Sequence, residues 1–220
     1  MVESHSLKLP ISYHYDLYIP ENPKGLLLSL HGYSQDKGAS MKFGRAASEN
    51  WIVAALQAPY PHHRRLDGVF ETGFGWVTSF MSDEAIKNHH RFLQTVTQSI
   101  YKRGLINAPK AVILGFSQSV SLNYRFAVAH PEYVAGIIAV AGAMPSSWGE
   151  PDSEPKPRLT VPILHIAPTE DEAYSAERLV AFKTQLKARC EALNWHEEPG
   201  GHRVPRKSYP VMKAWLKALA

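Results

Sequence analysis

The chain has 220 residues, above the ~150 typical of one domain, and a single large domain over residues 1–220 is expected. Lys and Arg number 24 against 20 Asp and Glu, a net charge of +4, with 20% charged and 45% hydrophobic residues, which excludes a disordered or fibrous chain. One cysteine, Cys190, excludes an internal disulfide framework and a cysteine-built zinc site; it fits a reducing compartment, and a cytoplasmic location is expected.

Residues 1–6 have no basic stretch leading into an apolar run, so no secretory signal is expected. Residues 13–19 alternate in character, as a half-exposed antiparallel strand would. Residues 25–31 form an apolar, buried strand, 42–50 a helix and 51–58 the next strand. The connection 59–81 is predicted as a long loop, and long loops inside compact domains tend to be functional. Its His62-His63-Arg64-Arg65 is the densest basic group, too small for a nucleic-acid-binding face.

Ser82 is the expected N-cap of a helix reaching Gly104, whose Ile86, Leu93, Val96 and Ile100 share one face. A buried strand over 110–116 and a helix to about 129 follow, then strands over 134–141 and 161–167. The apolar run 134–144 is too short to span a bilayer, so no stable membrane insertion is expected. A second long, proline-rich connection covers 144–160. Helix 176–192, strand 194–198 and helix 208–220 complete the chain. Strands alternating with helices predict an α/β fold: a mostly parallel twisted sheet with helices on both faces and no large lid domain.

Gly-x-Ser occurs three times, at Ser34, Ser40 and Ser117. A nucleophilic serine at a sharp strand-to-helix turn needs a strand before it, a helix after it and small flanking residues. Ser117 meets all three conditions, with Gly115 and Ser119 beside it. Ser34 has Asp36 at the flanking position, where Lys37-Gly38 delays any helix, and Ser40 follows no strand. A hydroxyl becomes nucleophilic when a base takes its proton and a third group orients that base. Chain order serine, acid, histidine leaves His196 and His202 of the 11 histidines; His202 follows Gly200-Gly201 beyond a strand and is preferred. The acid follows the strand ending near Ala167, with Asp171 preferred and Glu170 the alternative. Three residues after successive parallel strands meet on one sheet edge. An oxyanion hole needs two backbone N–H groups. The Gln118 amide is one, and the loop Leu30-His31-Gly32-Tyr33 supplies the other, from Tyr33 or, second, Ser34.

On these residues the chain resembles the α/β-hydrolase superfamily, and within it the phospholipase/carboxylesterase branch that includes acyl-protein thioesterases. Its carriers are L-H-G-Y at 30–33, G-F-S-Q-S at 115–119, T-E-D at 169–171 and G-G-H-R-V-P at 200–205. The resemblance implies a triad of Ser117, Asp171 and His202, an oxyanion hole near Tyr33 and Gln118, and no metal or other cofactor. Two departures stand out. Ser119 replaces the usual second glycine, and Ile166-Ala-Pro-Thr-Glu-Asp replaces an acid loop that usually begins His-Gly. The expected substrate is a small-to-medium carboxylic ester or thioester, with Phe74, Trp76, Met144 and Trp148 walling an apolar pocket. The competing readings are a catalytically silent binding module of the same fold and a related lactonase, peptidase or acyltransferase. Self-association as a homodimer is left open.

Overall fold

The apolar runs become strands buried on both faces, as parallel strands under two helical layers must be. The computed structural model describes residues 1–5, 7, 11–149 and 158–219. Its strands are β1 (Tyr15–Tyr18), β2 (Leu26–Leu30), β3 (Ile52–Leu56), β4 (Tyr60–Leu66), β5 (Val69–Gly75), β6 (Ala111–Phe116), β7 (Val134–Val140), β8 (Ile163–Pro168) and β9 (Leu193–Glu198). Its helices are α1 (Lys37–Ala47), α2 (Ser82–Lys102), α3 (Gln118–Ala129), α4 (Ala176–Lys187) and α5 (Tyr209–Leu219). Seven strands form one sheet in the order β1-β3-β2-β6-β7-β8-β9. Only β1 runs antiparallel, at the edge, pairing Tyr15 with Leu56 and Tyr18 with Val53.

Alternation along each strand builds two cores. Leu26, Leu28 and Leu30 of β2 and Ile52, Ala54 and Leu56 of β3 face one layer, where Phe92, Leu93, Val96 and Ile100 of α2 and Val120, Tyr124 and Phe126 of α3 pack. Leu27, Val53, Val112 and Leu114 face the other, against Ala47 of α1 and Met212, Trp215 and Leu216 of α5. Helices therefore lie on both faces, as the sequence predicts. Among the described residues no helix is long and apolar enough to cross a membrane.

Four local expectations are corrected. Ser82 is not the N-cap of α2 but its first residue; the cap position is Met81 at φ 53°, with no side-chain cap bond. Lys37-Gly38 does not delay a helix: α1 starts at Lys37, capped by the Asp36 carboxylate, which accepts the Ala39 N–H at 2.9 Å. The connection 59–81 is not an irregular loop but carries the β4–β5 hairpin, paired from Tyr60↔Gly75 to Leu66↔Val69. Its turn is Asp67-Gly68, with φ of 48° and 84°. Both central residues at positive φ is what a two-residue hairpin demands, and Asp-Gly is its sequence signal. Helix α4 stops at Lys187, because the chain turns there to bring Cys190 into a bridge with Leu159. Cys190 is half-buried, and burial pushes its thiol up to about 12, so it is held in the unreactive form. Residues 150–157 of the second long connection lie outside the described residues.

Candidate active site

Strand β6 delivers Ser117 straight into α3, and the turn between them forces an unusual backbone. Ser117 has φ 54° and ψ −115°, a conformation a non-glycine residue avoids at a cost of about 1–3 kcal/mol. The neighbourhood holds it there. The Ser117 N–H donates to Val140 O at 3.0 Å, and its carbonyl accepts the Val120 N–H at 3.1 Å. Ser119 is fully buried; its Oγ accepts the Phe116 N–H at 3.0 Å and lies 3.3 Å from Leu30 O. The serine that replaces the usual glycine thus ties the turn to its own strand and to β2. Gly115 has no such freedom to vary, since a Cβ there would meet Asn123 Nδ2 at 2.4 Å and Ser119 Oγ at 3.0 Å. Gly115→Ala is expected to lower unfolding free energy by about 1–3 kcal/mol, read from urea denaturation.

Two further strand ends supply the partners. After β8, Asp171 turns inward: its side chain has no exposed surface, and Oδ1 accepts the Ala173 N–H at 2.8 Å. After β9, Gly200 at φ 141° lets the chain swing back, and His202 follows. The two loops are bound main chain to main chain. The Thr169 N–H donates to Glu198 O at 3.0 Å, and the Glu170 N–H donates to Gly200 O at 3.0 Å. His202 Nδ1 lies 3.0 and 2.9 Å from the two oxygens of Asp171, and Nε2 lies 2.8 Å from Ser117 Oγ. An ionised carboxylate only accepts, so the ring proton sits on Nδ1 and donates to Asp171. The Nε2 lone pair then faces the serine hydroxyl. Phe116 and Tyr174 flank the imidazole at centroid distances of 5.2 and 5.9 Å.

The structure brings together Ser117, Asp171 and His202, and it separates Glu170 from them: that side chain is exposed and meets neither partner. The three strands are not consecutive in the sheet, because β7 lies between β6 and β8. Glu172 is the participant the sequence reading missed. Its Oε2 accepts the His202 N–H at 2.9 Å. The carboxyl is held below its ordinary range first by its own backbone N–H and then by that of His202. Only its place in the acidic run 170–172 could have pointed to it.

The Tyr33 amide has no acceptor among the described residues, whereas the Ser34 N–H already donates to Phe74 O at 2.9 Å. Tyr33 therefore stands ahead of Ser34 as a free donor. Gln118 is the first residue of α3, where an N–H has no partner within the helix. His31 is wholly buried, donates through Nδ1 to Gly32 O at 2.7 Å and accepts the Ala58 N–H on Nε2 at 3.1 Å. It fastens this loop to the end of β3 and takes no part in the exposed site. Burial lowers its pKa, keeping the ring neutral for those two bonds.

The expected pocket walls fare differently. Trp76 is 1% exposed, and its Nε1–H donates to His31 O at 2.8 Å, so it supports the loop from beneath. Met144 and Trp148 are each 5% exposed and belong to the main core. Phe74 is partly buried against that core and pairs through its backbone with Gln35. Three of the four are core residues: they fill the layer beneath the sheet edge.

Residues 22–214 match the model of the family described as serine hydrolase (FSH1). NocK of Nocardia uniformis subsp. tsuyamanensis, described as a candidate esterase, is 28% identical over 152 residues, covering 67% of this chain and 40% of that one. The chain thus spans about two fifths of the length of this curated relative. Among solved structures, a carboxylesterase from Mesorhizobium loti has a TM-score of 0.72 at 21% identity, over 93% of this chain and 94% of its own. Zea mays acyl-protein thioesterase 2 has a TM-score of 0.68 at 18% identity, over 94% and 98%. At these identities the likeness speaks for the architecture, which is the α/β-hydrolase fold.

Proposed function

The chain belongs to the serine hydrolase (FSH1) family, and on that premise we propose that it hydrolyses small-to-medium carboxylic esters or thioesters through a covalent acyl-enzyme. The observation that carries the reading is the unbroken hydrogen-bonded run from Ser117 Oγ through His202 to Asp171, set on a serine held at positive φ. In the first step His202 Nε2 takes the Ser117 proton as Oγ attacks the acyl carbon. The amides of Tyr33 and Gln118 receive the oxyanion, and Asp171 stabilises the imidazolium. His202 then gives its proton to the leaving alcohol or thiol. Water, deprotonated by the same nitrogen, attacks the acyl-serine and frees the acid. No step calls for a metal or organic cofactor.

Preference for modest substrates follows from the chain having no long hydrophobic insert to serve as a lid over the site. The test is turnover of p-nitrophenyl esters of increasing chain length, with fluorophosphonate labelling mapped by mass spectrometry. Turnover and a single phosphonate on Ser117 are expected. A protein that neither turns over ester nor labels would be a binding module on a hydrolase frame, and labelling elsewhere would displace Ser117.

A further inference from the structure

The Tyr33 amide sits in a turn over residues 32–35, closed by the Gln35 N–H donating to Gly32 O at 3.3 Å and the Gly32 N–H donating to Gln35 Oε1 at 2.9 Å. The two central residues of that turn, Tyr33 and Ser34, are gripped in addition from β4. His62 Nε2 lies 2.7 Å from Ser34 Oγ, and the His62 ring stacks on the Tyr33 ring, 4.6 Å between centroids with planes 10° apart. One side chain thus holds both the residue that carries the amide and the residue after it. Gly73, directly across the hairpin from His62, makes room: a Cβ there would come to 2.9 Å from Ser34 Cα and 3.0 Å from His62 Nε2. The open end of the same hairpin, two pairs along from His62, is tied to the residue that carries the other amide. The Gln118 side chain accepts the Trp76 N–H at 2.8 Å and donates to Val77 O at 3.0 Å. Ser34 itself stands at φ 63°, a backbone state that serine leaves unless it is restrained.

We infer that His62 is a positioning residue of the oxyanion hole: its bond to Ser34 and its stack on Tyr33 aim the Tyr33 N–H. This rests on the acyl-transfer reading above. The backbone bond from the Ser34 N–H to Phe74 O survives loss of either side chain, so the loop stays in place while its orientation slackens. Oxyanion stabilisation depends on donors aimed in advance at the developing charge, so slackened aim acts on kcat and spares ground-state binding.

The experiment uses the full chain with a p-nitrophenyl ester. His62→Phe keeps a ring over Tyr33 and removes Nε2; Ser34→Ala removes the other end of the bond and disturbs the fold least. Each is expected to lower kcat about fivefold or more with KM nearly unchanged, and the pair together no more than either alone. Affinity for a trifluoromethyl ketone, whose adduct with Ser117 carries an oxyanion, should fall by the same factor as kcat/KM. His63→Ala is the control, because His63 points the other way, toward Phe70 at 6.3 Å. A smaller loss in either variant, a loss confined to KM, or an equal loss in the control overturns the inference. Failure of the hydrolase reading would appear earlier, as a wild-type protein without turnover or labelling, and would take this inference with it.

Discussion

Replacing Ser117 by alanine is expected to cut kcat toward an activated ester by roughly 10⁵–10⁶-fold, and His202→Ala by a similar factor. The double variant should be no slower than either single one, because both groups serve one proton transfer and removing either ends it. Asp171→Asn should cost about 10⁴-fold. An asparagine amide can donate to His202 Nδ1, which drives the ring proton to Nε2 and leaves no lone pair facing the serine. Glu170→Gln should stay close to wild type, since Glu170 contributes to the site only through its backbone bond to Gly200 O. Steady-state kinetics on the five variants decide. Equal, small losses at 170 and 171 would mean that the acid lies elsewhere.

Mild acid is expected to destabilise the protein steeply, by about 4 kcal/mol between pH 7.5 and pH 5 from two histidines alone. His89 and His165 are 3% and 0% exposed, and burial lowers each to about 3. Among the described residues His165 Nε2 has no hydrogen-bond partner and the His89 nitrogens make no bond of good geometry, with the Asn123 side chain as their polar neighbour, so a proton gained there would be a poorly compensated buried charge. The unfolded chain takes up these protons below about pH 6.5 and the folded chain does not. Stability is therefore full above that pH and falls by about 1.4 kcal/mol per unit per histidine until the folded pKa is reached. His90, lowered to about 4 by burial and by its His130 neighbour, acts in the same direction. Against a typical total of about 5–15 kcal/mol, this is a large fraction. Urea unfolding across pH 7.5 to 4.5 measures it, and a flat profile would show that these rings stay protonatable in the fold.

The layered sheet was legible because buried parallel strands announce themselves as short apolar runs, and 26–30, 52–56 and 111–116 do so without ambiguity. Ser117 was legible for a related reason, since it follows such a run with small residues at 115 and 119; His202 was legible from Gly200-Gly201 before it, although β9 reads Leu-Asn-Trp-His-Glu-Glu. The hairpin was not, since β4 reads Tyr-Pro-His-His-Arg-Arg-Leu and has no buried face to impose alternation. Its local signal is Asp67-Gly68, the pair at positive φ in the two-residue turn. The expected pocket walls failed in the opposite sense. An aromatic in a connection looks the same in sequence whether it lines a cleft or fills the layer beneath, and Trp76 and Trp148 fill the layer. Glu172 and His62 act on residues 30 and 28 positions away, beyond any local pattern.

The clasp between the loops after β8 and β9 has a consequence for how such chains diverge. Amides and carbonyls are common to nearly every residue, so a join made of Thr169 to Glu198 and Glu170 to Gly200 is indifferent to which side chains hang from it. The approach to the carboxylate can then differ in sequence, here Ile166-Ala-Pro, while the acid keeps its address. What sets the place of the aspartate is thus its distance past the tip of β8 and not the letters before it.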